Sequence, residues 1–354
     1  MRFYDALQLD PAGLWAAIKG AETKKERRKM QVAIVVRPML IVAFAIALIA
    51  PMTTLFGAEN NAMTVGLFCI LLSIRFVDFG YCIKDSMVNL AIVFALLLFA
   101  PVAAAQVPPL IGFGIHFVAM GIILSMTCIQ PEMGNGGLYG FAYVFLAGNP
   151  VTGASLVNRC WVTLIGFVVC GAIFFAKHRK KHQNVRFLSL SGKFSMHSAK
   201  NRWQLRLSLG VSLLLLIGSI FEIKQWVWAG FACSSLLSYY NPNGVRERYG
   251  LRIAGTILGS VAFFVVYQIT PPAFHSLFGP LCGVVLGFCV DYKYKTAINC
   301  FSALLLAAGL YGLGSALIMR IVNNLLGVAF ACVFGFVYQM LVSRKYEQGQ
   351  AVAD

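Results

Sequence analysis

The sequence predicts an all-α membrane protein of about twelve transmembrane helices, arranged as two parallel six-helix repeats. Three observations carry that reading: an apolar composition, an alternation of basic and uncharged turns, and a motif that recurs at matching places in the two halves. Apolar residues fill 59% of the 354 positions and charged residues only 12%, about half the roughly 25% charged share of soluble domains. A net charge of +16 would point to nucleic acid in a soluble chain. In this one the basic residues follow topology, and no nucleic-acid partner is expected.

Apolar runs, all but the fourteen-residue Ser208–Phe221 near the length needed to cross a hydrocarbon core of about 30 Å, recur along the chain. They are Val32–Pro51, Val88–Ala105, Leu110–Cys128, Leu156–Ala176, Ser208–Phe221, Ile253–Thr270 and Ala316–Val342. The first run is full length and its basic residues follow an amphipathic stretch, so no cleaved signal peptide is expected. Basic residues cluster at Lys24, Lys25, Arg27, Arg28 and Lys29, at Lys177, Arg179, Lys180, Lys181 and Arg186, and at Arg344 and Lys345. Shorter basic turns are Arg75 to Lys84, Arg246 to Arg252, and Lys293 with Lys295. The turns Thr53–Met63, Pro101–Pro109, Gly148–Gly153, Thr270–Ser276 and Gly309–Gly314 carry almost no cations, and Lys224 beside Glu222 is the exception. Because cytoplasmic loops retain Lys and Arg, the alternation predicts a multi-pass protein of the cell (inner or cytoplasmic) membrane with both termini cytoplasmic.

Taken in order, residues 1–30 read as a cytoplasmic lead-in. Leu14, Trp15 and Ile18 share a helical face ahead of the basic run, as in a helix lying on anionic headgroups. Residues 31–177 form the first six-helix repeat, 178–201 a basic cytoplasmic linker, 202–346 the second repeat, and 347–354 a short cytoplasmic tail. Gly66-x-x-Cys69 is echoed by Gly230-x-x-Cys233, and Phe145-Leu146-Ala147-Gly148 by Leu306-Ala307-Ala308-Gly309. Arg37 opens the first span as Arg206 opens the seventh. The third span breaks the pattern, with Ala91 standing where the second half has Arg252. Parallel repeats are a common plan in transporters, with the ligand path at the repeat interface.

The recurring motif is an arginine followed four residues later by Thr or Asn and seven residues later by Gly: Arg159-Thr163-Gly166, Arg252-Thr256-Gly259 and Arg320-Asn324-Gly327. Gly153-Ala154-Ser155-Leu156 precedes the first and Gly314-Ser315-Ala316-Leu317 the third. A guanidinium within a span costs a few kcal/mol, about 2.5–3.5 at the helix centre on insertion scales, and such residues usually face a bundle interior. Arg159, Arg320 and Arg252 are therefore candidates to line an anion path, their forks taking carboxylate oxygens. Thr163, Thr256 and Asn324 share the arginine face one turn on. The competing reading is snorkelling to headgroup phosphates, which fits Arg37 and Arg206 better. Gly255 with Gly259, and Gly279, Gly283 and Gly287, read as faces for close helix packing.

His116, in Gly114-Ile115-His116-Phe117, is the one histidine well inside a span. It is a candidate proton or ligand site, with a satisfied core histidine as the alternative. Asp78, Asp85, Glu132 and Asp291 fall at cytoplasmic ends, and Glu59 and Glu222 at outer turns. The ten cysteines stand singly, without C-x-x-C, and read as small core residues. No zinc-protease, nucleophile-elbow or Walker A pattern occurs. Neither an enzyme nor a bound metal or cofactor is expected.

His197-Ser198, Arg202 and Leu205-Arg206-Leu207 opening an apolar span resemble the entry to the membrane domain of fusaric-acid-resistance-type proteins. That group includes aromatic acid exporters and is related to plant malate channels. Asn241-Pro242 through Arg252-Ile253-Ala254-Gly255-Thr256-Ile257-Leu258-Gly259 is similar to the family's most recognisable segment, and Arg320 to Gly327 to its closing span. The resemblance covers about 200–342 and is weaker over 31–177. It implies a six-helix membrane unit and export of small organic anions, often aromatic carboxylates, with Arg206, Arg252, Gly255, Thr256, Gly259 and Arg320 as matching positions. Many members carry a large cytoplasmic domain after each unit, and this chain has only a linker and tail there. A passive organic-anion channel, or a non-transporting scaffold that binds lipid, are the competing expectations. The expected partners are a small organic anion and membrane lipids, with a homo-oligomer or an accessory transport subunit left open.

Overall fold

The computed structural model describes residues 2–192, 194–241 and 244–343. Pro242, Arg344, Lys345 and the 347–354 tail lie outside the described residues. All regular structure among the described residues is helical. The α-helices are α1 (Phe3–Gln8), α2 (Pro11–Lys19), α3 (Lys24–Phe56), α4 (Asn61–Ile74), α5 (Ile83–Ala105), α6 (Pro109–Thr127), α7 (Asn135–Ala147) and α8 (Gly153–His178). They continue as α9 (Phe187–Ser191), α10 (Ala199–Ile220), α11 (Val227–Leu237), α12 (Val245–Ile269), α13 (Phe278–Leu286), α14 (Tyr292–Tyr311) and α15 (Leu313–Tyr338).

Seven of these, α3, α5, α6, α8, α10, α12 and α15, are long and apolar enough to cross a membrane. Each covers all or most of one of the apolar runs read from the sequence. Their outward faces carry large apolar side chains, among them Leu40 and Phe44 on α3, Val118 on α6, Val168 on α8 and Val333 on α15. Faces of that kind suit lipid rather than water. The chain is a multi-pass membrane protein.

Local chemistry sets the helix ends. Asp10 caps α2, its carboxylate accepting from the N–H of Gly13 at 2.9 Å, and Pro11 follows at the first helical position. Pro109 starts α6 in the same way. Gly312, with φ of +78°, ends α14 in a conformation that side chains rarely adopt.

Packing divides the described chain into two compact units. One comprises, among the described residues, 2–47 and 246–324. Its first part is a cluster of Ala6, Leu14, Ile18, Met30, Ala33 and Ile34, with Phe288 against it. Trp15 turns outward while Leu14 and Ile18 are buried, so the three do not share one packed face. The basic run Lys24 to Lys29 forms the opening turns of α3 rather than a segment ahead of it, and Arg37 lies well inside that helix rather than at its start. Gly283 and Gly287 face Val42 and Pro38 of α3, whereas a side chain at Gly279 would meet nothing within 4 Å.

The other unit comprises, among the described residues, 48–192, 194–241, 244–245 and 325–343. α6 packs between α5 and α10 along much of its length, and α7 packs against α4 and α11. The α7–α11 crossing is made of small residues, with Gly140 beside Ser234 and Gly230 beside Val144. The linker is fastened down. The N–H of Cys82 donates to the carbonyl of Val185, Asp85 takes the side chain of Arg186 and the N–H of Phe187, and Lys181 and His182 close on Asp78.

Candidate anion site

Three helices of the first unit build a polar cluster in an otherwise apolar interior. Along α12 the buried positions are Arg252, Gly255, Thr256, Gly259, Ser260 and Phe263, one helical face at intervals of three and four. The two glycines bring α12 into backbone contact with α14. A side-chain carbon at Gly255 would press on the carbonyl of Lys293 and on Thr296, and one at Gly259 on the backbone of Ala297. That approach sets Arg252 beside the Tyr292–Thr296–Cys300 face of α14, and α15 supplies Arg320 and Asn324.

Arg252 donates from Nη1 to the Tyr292 hydroxyl at 3.1 Å and from Nη2 to Oδ1 of Asn324 at 3.4 Å. The amide of Asn324 donates back to the carbonyl of Arg320 at 3.0 Å, and Nε of Arg320 reaches Sγ of Cys300 at 3.4 Å. Both arginines are buried. Thr256, one turn from Arg252 and 1% exposed, has a hydroxyl with no hydrogen-bond partner among the described residues. A buried polar group in that condition calls for an explanation, such as a ligand.

Arg159 is held differently, in the second unit. Its side chain is wholly buried. Nε donates to Oδ1 of Asn60 at 3.0 Å, Nη1 to the carbonyl of Asn149 at 2.8 Å, and Nη2 to the carbonyl of Glu59 at 2.8 Å. Asn60 itself donates to the carbonyls of Phe56 and Ser155. The guanidinium thus knots the segment before α4 to the end of α7. Thr163 returns its hydroxyl to the carbonyl of Arg159 at 2.7 Å, as Asn324 does to Arg320. Arg206 closes the end of α11 through the carbonyls of Leu237 and Tyr239, an inward contact in place of the snorkelling expected of it. His116 is buried on α6, with Nδ1 2.9 Å from the Tyr143 hydroxyl.

Of the residues singled out from sequence, Arg252, Thr256, Arg320 and Asn324 are therefore gathered in one unit, and Arg159, Thr163 and His116 belong to the other. Tyr292 and Cys300 were not anticipated. Their signal was present in the Tyr292, Thr296, Cys300 spacing, which puts three polarisable groups on one helix face. Asn60, the partner of Arg159, carried no such pattern.

No curated protein and no solved structure matches the chain. The family model described as fusaric acid resistance protein-like matches residues 213–334, a span that holds Arg252, Thr256, Tyr292, Cys300, Arg320 and Asn324 together. Over residues 213–334, about a third of the chain, the sequence is similar to the fusaric acid resistance protein-like family.

Proposed function

We propose that this membrane protein is a transporter that moves small organic anions outward, and that the Arg252–Arg320 cluster holds the anion's charge during passage. The observation that carries this reading is the gathering of the buried Arg252 and Arg320 from different helices in one polar cluster, with Asn324 holding the guanidinium of Arg252 and the main-chain carbonyl of Arg320, beside a buried Thr256 hydroxyl without a partner among the described residues. Concentrating two like charges in a low-dielectric interior is costly. An anion entering there is bound by charge-assisted hydrogen bonds to the arginine forks, and Thr256 is placed to donate one more. In this reading Arg159 is a structural knot, and the path runs without it.

The reading takes α3 to α8 and α10 to α15 as two parallel six-helix repeats, the second half of each ending in an arginine-bearing helix. The family likeness over residues 213–334 supports the anionic cargo, and aromatic carboxylates are the first class to test. A passive channel is the second reading. It is favoured by one observation: among the described residues no carboxylate lies inside a candidate span beyond its opening turns.

The test is flux of labelled phthalate and succinate from proteoliposomes, under voltage and pH gradients imposed separately. Both are dianions at neutral pH, so leakage through lipid is slow. Arg320→Gln should lower flux about tenfold or more with normal membrane insertion. Unchanged flux in a well-expressed variant would remove the cluster from the path, and no flux of any anion would favour a scaffold.

A further inference from the structure

The second unit contains a cavity of about 220 Å³ where α5 ends and α6 begins. It is lined by Ala104 and Ala105 of α5, Gly112 and His116 of α6, and Leu216 and Ser219 of α10. The carbonyls of the last turn of α5 have no further helical donors, so its wall is polar, and it has room for several water molecules. It sits at the cation-poor end of α5 and α6, away from Lys84 and Asp85. The only histidine placed well within a candidate span among the described residues faces this space.

We infer that His116 is the site where a proton is taken up from this cavity to couple anion movement, an inference that rests on the transport reading above. The geometry supplies what such a site needs. Tyr143, from α7, holds Nδ1 at 2.9 Å and fixes the ring. With its hydrogen on Nδ1, the imidazole donates to the phenol oxygen and presents Nε2 as the basic nitrogen. A proton arriving through cavity water binds Nε2, and the imidazolium keeps its Nδ1–H bond to Tyr143 while donating from Nε2 to water. One proton is gained, one positive charge appears, and no other bond breaks.

The charged groups of the neighbouring helices lie elsewhere, while Glu222 and Lys224 stand in the turn that follows α10, just beyond Ser219. Lys84 and Asp85 open α5 at its far end, Lys200, Arg202 and Arg206 occupy the first turns of α10, and α7 offers Tyr139 and Tyr143, of which Tyr143 touches the ring. Neither α9 nor α6 itself adds another charged group. The imidazole is thus the titratable side chain that lines this cavity.

Two measurements on the full-length protein test this. In nanodiscs with isotope-labelled histidine, the His116 ring signals, identified by their loss in His116→Gln, should shift with pH, and Ser219→Leu, which fills the cavity, should slow proton exchange at them. In proteoliposomes loaded with phthalate, a gradient of one pH unit should change the flux of the parent protein several-fold, towards the about tenfold limit of one-to-one coupling. His116→Gln should keep voltage-driven flux and lose the pH response. A full pH response in His116→Gln overturns the inference, as does a ring that never titrates between pH 4 and 9. Absence of flux for every anion would instead refute the transport reading and the coupling role with it, leaving proton uptake at His116 to be decided by the ring titration.

Discussion

Arg252 on α12 donates to the side-chain amide oxygen of Asn324 on α15 at 3.4 Å. The two residues occupy different positions in their copies of the same motif, so the contact joins the arginine of one copy to the polar partner of another. Replacing Asn324 with Asp would set a carboxylate against the guanidinium of Arg252, one helical turn from Arg320. Such an internal anion competes with any mobile one. Asn324→Asp is expected to insert normally and lose anion flux by about tenfold or more, measured in proteoliposomes, while Asn324→Gln keeps a larger share.

Arg159 should behave as a stability residue. Arg159→Leu strips partners from the carbonyls of Glu59 and Asn149 and from the amide oxygen of Asn60. Leaving buried acceptors unsatisfied costs about 1–3 kcal/mol each. Thermal unfolding in detergent is expected to fall by several degrees, with activity per folded molecule preserved. A normal unfolding temperature with lost flux would return Arg159 to the path.

The glycines divide into two groups. Gly259→Ala pushes a methyl group into the backbone of α14, where no flexible side chain can give way, and overpacking of this kind costs about 1–3 kcal/mol. Gly279→Ala meets open space and should change stability by about 0.5 kcal/mol or less. Parallel melting curves of the two variants check both.

Acid should release the linker. Burial alone would raise the Asp78 carboxyl, but hydrogen bonds from Lys181 and the N–H of Gly80, with the charges of Lys181 and His182, hold it below its ordinary value of 3.8. A carboxyl lowered in the folded state contributes stability that is full above the unfolded value and lost as pH falls through the folded one. The linker contact should therefore persist at neutral pH and fail only below about pH 4, a threshold near the unfolded carboxyl value. In Asp78→Asn, hydrogen exchange across residues 178–187 should already be faster at pH 7 and should lose that acid step.

Much of the scaffold was legible because the bilayer imposes one rule on length and composition, which the seven long helices obey. The shorter helices α4, α7, α11 and α13 were harder to delimit, since a run of nine to fourteen residues satisfies no spanning criterion. The arginine motif stood out in the sequence, yet its spacing assigned Arg159 and Arg320 the same task. What separates them is what other chain segments bring: carbonyls and Asn60 from neighbouring segments surround Arg159, while Sγ of Cys300 on α14 meets Arg320. Spacing along one helix says which side chains share a face and is silent on what another helix brings to it. Tyr143 escaped notice beside His116 for the same reason.

The fastening of residues 178–187 to the loop ahead of α5 bears on how the chain can be divided. A gene cut after Gly192 would yield a first fragment whose trailing arm is already tied to its own loop through Asp78 and Asp85. The second fragment would begin close to α10 with no tether to recover. Reassembly of such a pair in a cell would then report on the affinity between membrane-embedded surfaces alone, free of the effective concentration that a flexible leash provides.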